Sequence, residues 1–149
     1  MKWLVCALLL AGCNPFYGRV APGFEYSKSC TRKAEAFRVF NVVLATAREQ
    51  GVLAQWPTDI AVAACVTEQK VLNCVGSTRA LAGCTYGNKV FVAGDHPSWK
   101  KTLTHEYIVA LANVGALSLP SVTAATEGAW LQRADYVKLA QACARKVEQ

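Results

Sequence analysis

The apolar positions along this chain change period twice, from helical to alternating and back. In the stretch Thr102–Gly115, TLTHEYIVALANVG, Leu103, Tyr107, Ala110, Leu111 and Val114 recur at i, i+4, i+7, i+8 and i+11, the spacing of one buried stripe on an amphipathic helix. Ser98 stands where an N-cap belongs and Gly115 where a helix needs a residue tolerant of a left-handed backbone. An earlier helix is predicted over Ser29–Gln50, with Phe37, Phe40, Leu44 and Ala47 as its core stripe and Gly51 as its end. A last helix is predicted to turn Tyr136, Leu139, Ala140, Cys143 and Val147 inward. Between them, Asp59–Val66, Lys70–Cys74, Arg79–Thr85 and Lys89–Ala93 are short β-branched or apolar runs separated by turn residues, which predicts an antiparallel sheet. Gly87-Asn88 is the hairpin turn between the last two. The fold class expected is α+β, in the order N-terminal helix, small sheet, central helix, C-terminal helix.

The first thirteen residues, MKWLVCALLLAGC, follow a different logic. One Lys and an apolar run from Trp3 to Leu10 form a signal-peptide core, far short of the roughly 20 residues that a membrane-spanning helix needs. Leu10-Ala11-Gly12-Cys13 matches the bacterial lipobox, so residues 1–12 are expected to be removed and Cys13 to become the lipidation site. Several acyl chains on one residue anchor a protein stably where a single chain does not. Asn14 follows in place of the Asp that often retains such proteins in the inner membrane, which favours the outer membrane facing the periplasm. Residues 13–28, with two Pro and two Gly between Asn14 and Tyr26, read as a tether, and residues 29–149 as one domain.

Composition narrows the partners. With Lys2 gone, 15 basic residues face 10 acidic ones, and no basic block or aromatic-plus-basic interleaving marks a nucleic-acid surface. The expected partners are the membrane, through the anchor, and an envelope protein or cell-wall polymer. Seven Cys are present. Setting aside Cys6 and Cys13 leaves Cys30, Cys65, Cys74, Cys84 and Cys143, an odd number in a compartment that favours disulfides. Cys30–Cys143 is the pairing expected to join the first and last helices, closing a loop of more than a hundred residues for which chain entropy predicts about 4 to 5 kcal/mol. Cys74–Cys84 is the second expected pair, with Cys65 able to replace either member.

The candidate chemistry lies on the central helix. His105-Glu106 begins the pattern by which a zincin sets two imidazoles one turn apart on a metal, with the Glu as general base, but the second His position is Val109. Downstream, Leu119–Trp130, LPSVTAATEGAW, resembles the segment after the zinc helix of small gluzincin-type peptidases, in which a Leu-Pro turn leads to a helix beginning Glu-Gly. The resemblance covers roughly Lys89 to Tyr136. It implies a minimal zincin-like domain with an edge strand along its cleft, in which Glu127 matches the third metal ligand. Two readings follow from it. In one, the domain is a degenerate zincin that has lost catalysis, needs no cofactor and binds a partner. In the other it is an active zinc metallopeptidase, with His105 and Glu127 as metal ligands and Glu106 as the catalytic base. His96, the second His of the chain, could serve the metal only if the turn at Asp95-His96-Pro97 folded back over the helix. Apart from the resemblance, His105 and Glu106 are ordinary polar helix positions, and Glu127 suits any first helical turn because of the macrodipole.

The lipobox yields a direct test. Cys13→Ser is expected to abolish metabolic labelling with palmitate and leave an unprocessed precursor. Undiminished labelling would refute the anchor.

Overall fold

The computed structural model describes residues 16–57, 59–123 and 125–149. The expected signal peptide over residues 1–12, the expected lipidation site Cys13 and Asn14 lie outside them. From Tyr17 onward the expected tether is a β-hairpin: β1 (Tyr17–Ala21) and β2 (Phe24–Ser27) pair antiparallel around Pro22-Gly23. Gly23 has φ 83°, the positive value that a type II turn demands after its Pro, and a Cβ there would come within 2.6 Å of the Pro57 carbonyl oxygen. Composition suggested a linker, yet Phe24 and Tyr26 alternate inward as strand residues do. Phe24 is 0% exposed and stacks on Phe40 with ring centroids 4.6 Å apart.

Helix α1 (Lys33–Glu49) begins later than expected because Arg32 takes a left-handed backbone at φ 59°. It leads to β3 (Val62–Thr67), and β4 (Gly83–Tyr86) turns through Gly87-Asn88 into β5 (Lys89–Ala93). Among the described residues these form a five-stranded sheet in the order β1-β2-β3-β5-β4. The sheet is mixed and not antiparallel: β2, β3 and β5 run parallel, flanked by antiparallel β1 and β4. The cause is connectivity. The α1 crossover returns the chain to the starting end of the sheet before β3, and β4, entered from the 68–82 segment at the end where β3 finishes, does the same before β5, which the apolar pattern alone does not register. Lys70–Cys74 is not a strand; Leu72 makes only an isolated bridge to Leu81.

Helices α2 (Trp99–Asn113), α3 (Glu127–Trp130) and α4 (Ala134–Val147) complete the mixed α+β fold. Val62, Ala64, Val66, Val90 and Val92 form the apolar sheet face under α1 and α2, and α4 packs on both helices through Leu139, Cys143 and Val147. On the other face, Leu72, Cys74 and Ala93 make a smaller cluster beneath the 68–82 segment. Among the described residues no helix is long and apolar enough to cross a membrane.

Cys30 bonds Cys65, with Cα atoms 5.4 Å apart, and Cys74 bonds Cys84 at 6.2 Å. The expected Cys30–Cys143 pairing is therefore corrected. Cys30 precedes α1 and lies beside β3, where the Thr31 N–H donates to the Val66 carbonyl at 3.1 Å, whereas Cys143 is buried in the helical layer as a free thiol. With sequence separations of 35 and 10 between their cysteines, the two bridges are worth about 4 and about 3 kcal/mol in the chain-entropy model. Non-reducing peptide mapping is expected to recover these two pairs. Alkylation should reach Cys143 only on denaturation, because burial hides the thiol and pushes its pKa up to about 11. A Cys30–Cys143 peptide would contradict the packing.

Candidate functional site

Helix α2 rests directly on the edge strand β4. Gly83 allows this approach, since a Cβ there would come within 2.6 Å of Thr102 Cγ2 and 3.2 Å of Glu106 Cγ. Two residues on, and therefore on the same strand face, Thr85 donates its hydroxyl to Glu106 Oε2. Glu106 is only 7% exposed, so this bond answers a carboxyl group that water hardly reaches.

The segment after α2 is pinned at two points. Asn113, the last residue of the helix, donates from Nδ2 to the Gly87 carbonyl at 3.1 Å and accepts the Val122 N–H on Oδ1 at 2.9 Å. Trp130 donates its indole N–H to the Pro120 carbonyl at 2.7 Å, which closes the Leu119-Pro120 turn against α3. Glu127, the first residue of α3, is thereby brought to the mouth of a cavity of about 570 Å³. His105, Glu106, Val109 and Asn113 line it from α2, all of β4 lines it from the sheet, and residues 74–77 form its outer lip. The structure thus gathers His105, Glu106, Val109 and Glu127 at one cleft. It does not bring His96 there: that ring accepts the Ser98 N–H on Nδ1 at 3.2 Å at the start of α2.

Tyr136, at the beginning of α4, hydrogen-bonds His105 Nδ1 at 2.6 Å and packs its ring 4.6 Å from that of Trp130. Burial lowers the His105 pKa, and the nearby Glu127 carboxylate only partly opposes this, so the imidazole is neutral at pH 7. Glu106 shifts the other way, to about 7: burial is the main cause, the negative charge of Glu127 adds to it, and the Thr85 hydroxyl works against it. Tyr136 is pushed up to about 12 by burial and by Glu106. A neutral imidazole and a half-neutralised carboxyl therefore line the cleft, with an un-ionised phenol hydrogen-bonded to the imidazole.

These donors do not fit a catalytic zinc, which takes three protein ligands and a water. Val109 presents methyl groups where a second imidazole is required, and burial keeps one of the two carboxyl groups, that of Glu106, close to neutrality. Among the described residues no three His, Cys, Asp or Glu side chains are grouped so as to hold a metal ion.

Scanned against protein-family models, curated proteins and solved structures, the chain matches none. The site must therefore be read from its own geometry. Three of its members carry no motif in the sequence. Thr85 looks like any strand Thr and Asn113 like any residue near a helix end. Tyr136 shows only as one member of the α4 stripe.

The Glu106 shift sets a pH dependence. Between about pH 4.5 and 7 the folded chain keeps a proton that the unfolded chain has released, so stability falls as pH rises through that window. The slope is up to about 1.4 kcal/mol per pH unit, about 3 kcal/mol in all. Glu106→Gln keeps a neutral acceptor for Thr85 and is expected to remove this component. Urea unfolding at a series of pH values should show the variant gaining on the parent across the window. His105 titrates in both chains and cancels from the difference, so a flat difference would place Glu106 in water.

Proposed function

We propose that the chain is a bacterial envelope lipoprotein, anchored through Cys13, whose domain is a degenerate zincin-like fold that binds a partner and no longer catalyses. The observation that carries this reading is Val109. Its side chain lines the cavity together with His105, Glu106 and Glu127, at the position where the resembling peptidases carry their second imidazole. The element order supports it too, with an antiparallel hairpin whose first strand is the sheet edge, then a His-Glu helix, a Leu-Pro turn and a Glu-Gly helix. Two disulfides, one at β3 and one at β4, agree with export to an oxidising compartment.

Of the two partner classes, an extended segment of an envelope protein fits the cleft better than a cell-wall polymer. The cavity runs along β4, which among the described residues is paired with β5 alone, so its other edge offers backbone groups to a peptide. Val75, 86% exposed, and Tyr86 add apolar surface at the mouth.

Zinc titration tests the scaffold and the loss of catalysis together. The unmodified protein is expected to bind zinc weakly or not at all. Val109→His adds an imidazole one helical turn from His105, and calorimetry is expected to show tight stoichiometric zinc in that form. Tight zinc in the unmodified protein would favour the peptidase reading, and no gain in the Val109→His form would remove the support for a zincin scaffold.

A further inference from the structure

A second cavity, of about 330 Å³, opens between α2 and α4 and meets the first only at His105. Its wall follows from helical spacing. Lys101, Thr104 and His105 lie at i, i+3 and i+4 on α2, and Tyr136, Ala140 and Ala144 at successive turns of α4. The two small alanines leave the groove open, and its floor is apolar because the polar groups below are already spent: Thr104 donates its hydroxyl to the Lys100 carbonyl at 2.9 Å, and the Tyr136 hydroxyl is engaged with His105. The rim differs in character. Lys101 and Arg145 are exposed, no acidic residue lines the cavity, and neither cation has an ion pair among the described residues, although Lys100 and Lys146 beside them do.

An apolar slot with two unpaired cations at its mouth is complementary to a molecule with a negative head and a short hydrocarbon tail. The volume lies at the small end of the ligand-pocket range, roughly 300 to 1,000 Å³. We propose that this groove binds a single-chain amphipathic anion, with its carboxylate or phosphate between Lys101 and Arg145 and its tail over Ala140 and Ala144. The same chemistry exists as a free medium-chain acid and as the end of a membrane lipid. The site is independent of the partner-binding cleft and does not rest on it.

The test uses the full chain in zwitterionic phosphatidylcholine nanodiscs, titrated with sodium butanoate, hexanoate and octanoate while amide NMR signals of Thr104, Ala140 and Ala144 are followed. Saturable shifts at these residues are expected, with affinity rising roughly fourfold per methylene until the groove is full. Octanol should bind more weakly, and Lys101→Gln with Arg145→Gln should cost octanoate about tenfold. Ala144→Leu fills the slot and should abolish the shifts; if that variant misfolds, the surface charge variant still decides. A parallel arm with phosphatidylglycerol in the nanodiscs and no added acid separates the sources. Shifts at the same three residues there assign a bilayer lipid, whereas shifts with octanoate alone assign a free acid. No shift in either arm, or equal affinity for octanol and octanoate, overturns the proposal.

Discussion

Helix α2 is enclosed by the sheet, α1 and α4, so nearly every residue from Leu103 to Ala112 is buried. A buried polar group without a partner costs about 1 to 3 kcal/mol, and each one carried inward must therefore be answered by another element or by its own backbone. Tyr107 donates to the Ala36 carbonyl of α1 at 3.0 Å, Thr104 to its own Lys100, and Glu106 takes the hydroxyl of Thr85 in β4. The last two of these meet at the walls of the cavities. The positions of β4 and α1 around this helix are thus set by hydrogen bonding as well as by apolar packing.

The same enclosure gives the main cleft its character. Water is scarce at Glu106, so the group approaches neutrality near pH 7, and His105 is kept uncharged beside it. A cleft with so little fixed charge on its inner wall suits a ligand held by backbone groups and apolar contact. Glu127 stands apart, exposed on the one-turn helix α3, and acts on both neighbours through space.

Disulfide placement follows from strand register. Parallel pairing of β3 with β2 brings Cys65 beside the turn that carries Cys30, while the 68–82 segment folds over the sheet face away from the helices and lays Cys74 against Cys84. Cys143 remains in the helical layer, where the stripe of α4 puts it.

The sequence by itself determined the elements whose signals are local. The α2 stripe with Gly115 after it, the α4 stripe, the Gly87-Asn88 turn and the strand at Lys89–Ala93 all follow from periodicity and turn chemistry within a few residues. His105, Glu106, Val109 and Glu127 could be named together because their spacing along the chain resembles a known pattern. Only the tertiary structure decided strand direction, the inclusion of the β1–β2 hairpin in the sheet, the partner of Cys30, and the roles of Thr85, Asn113 and Tyr136. Each of these depends on contacts between residues distant in sequence, such as Thr85 with Glu106 and Tyr136 with His105. No local pattern encodes such contacts, because burial and pairing arise only once the layers have packed.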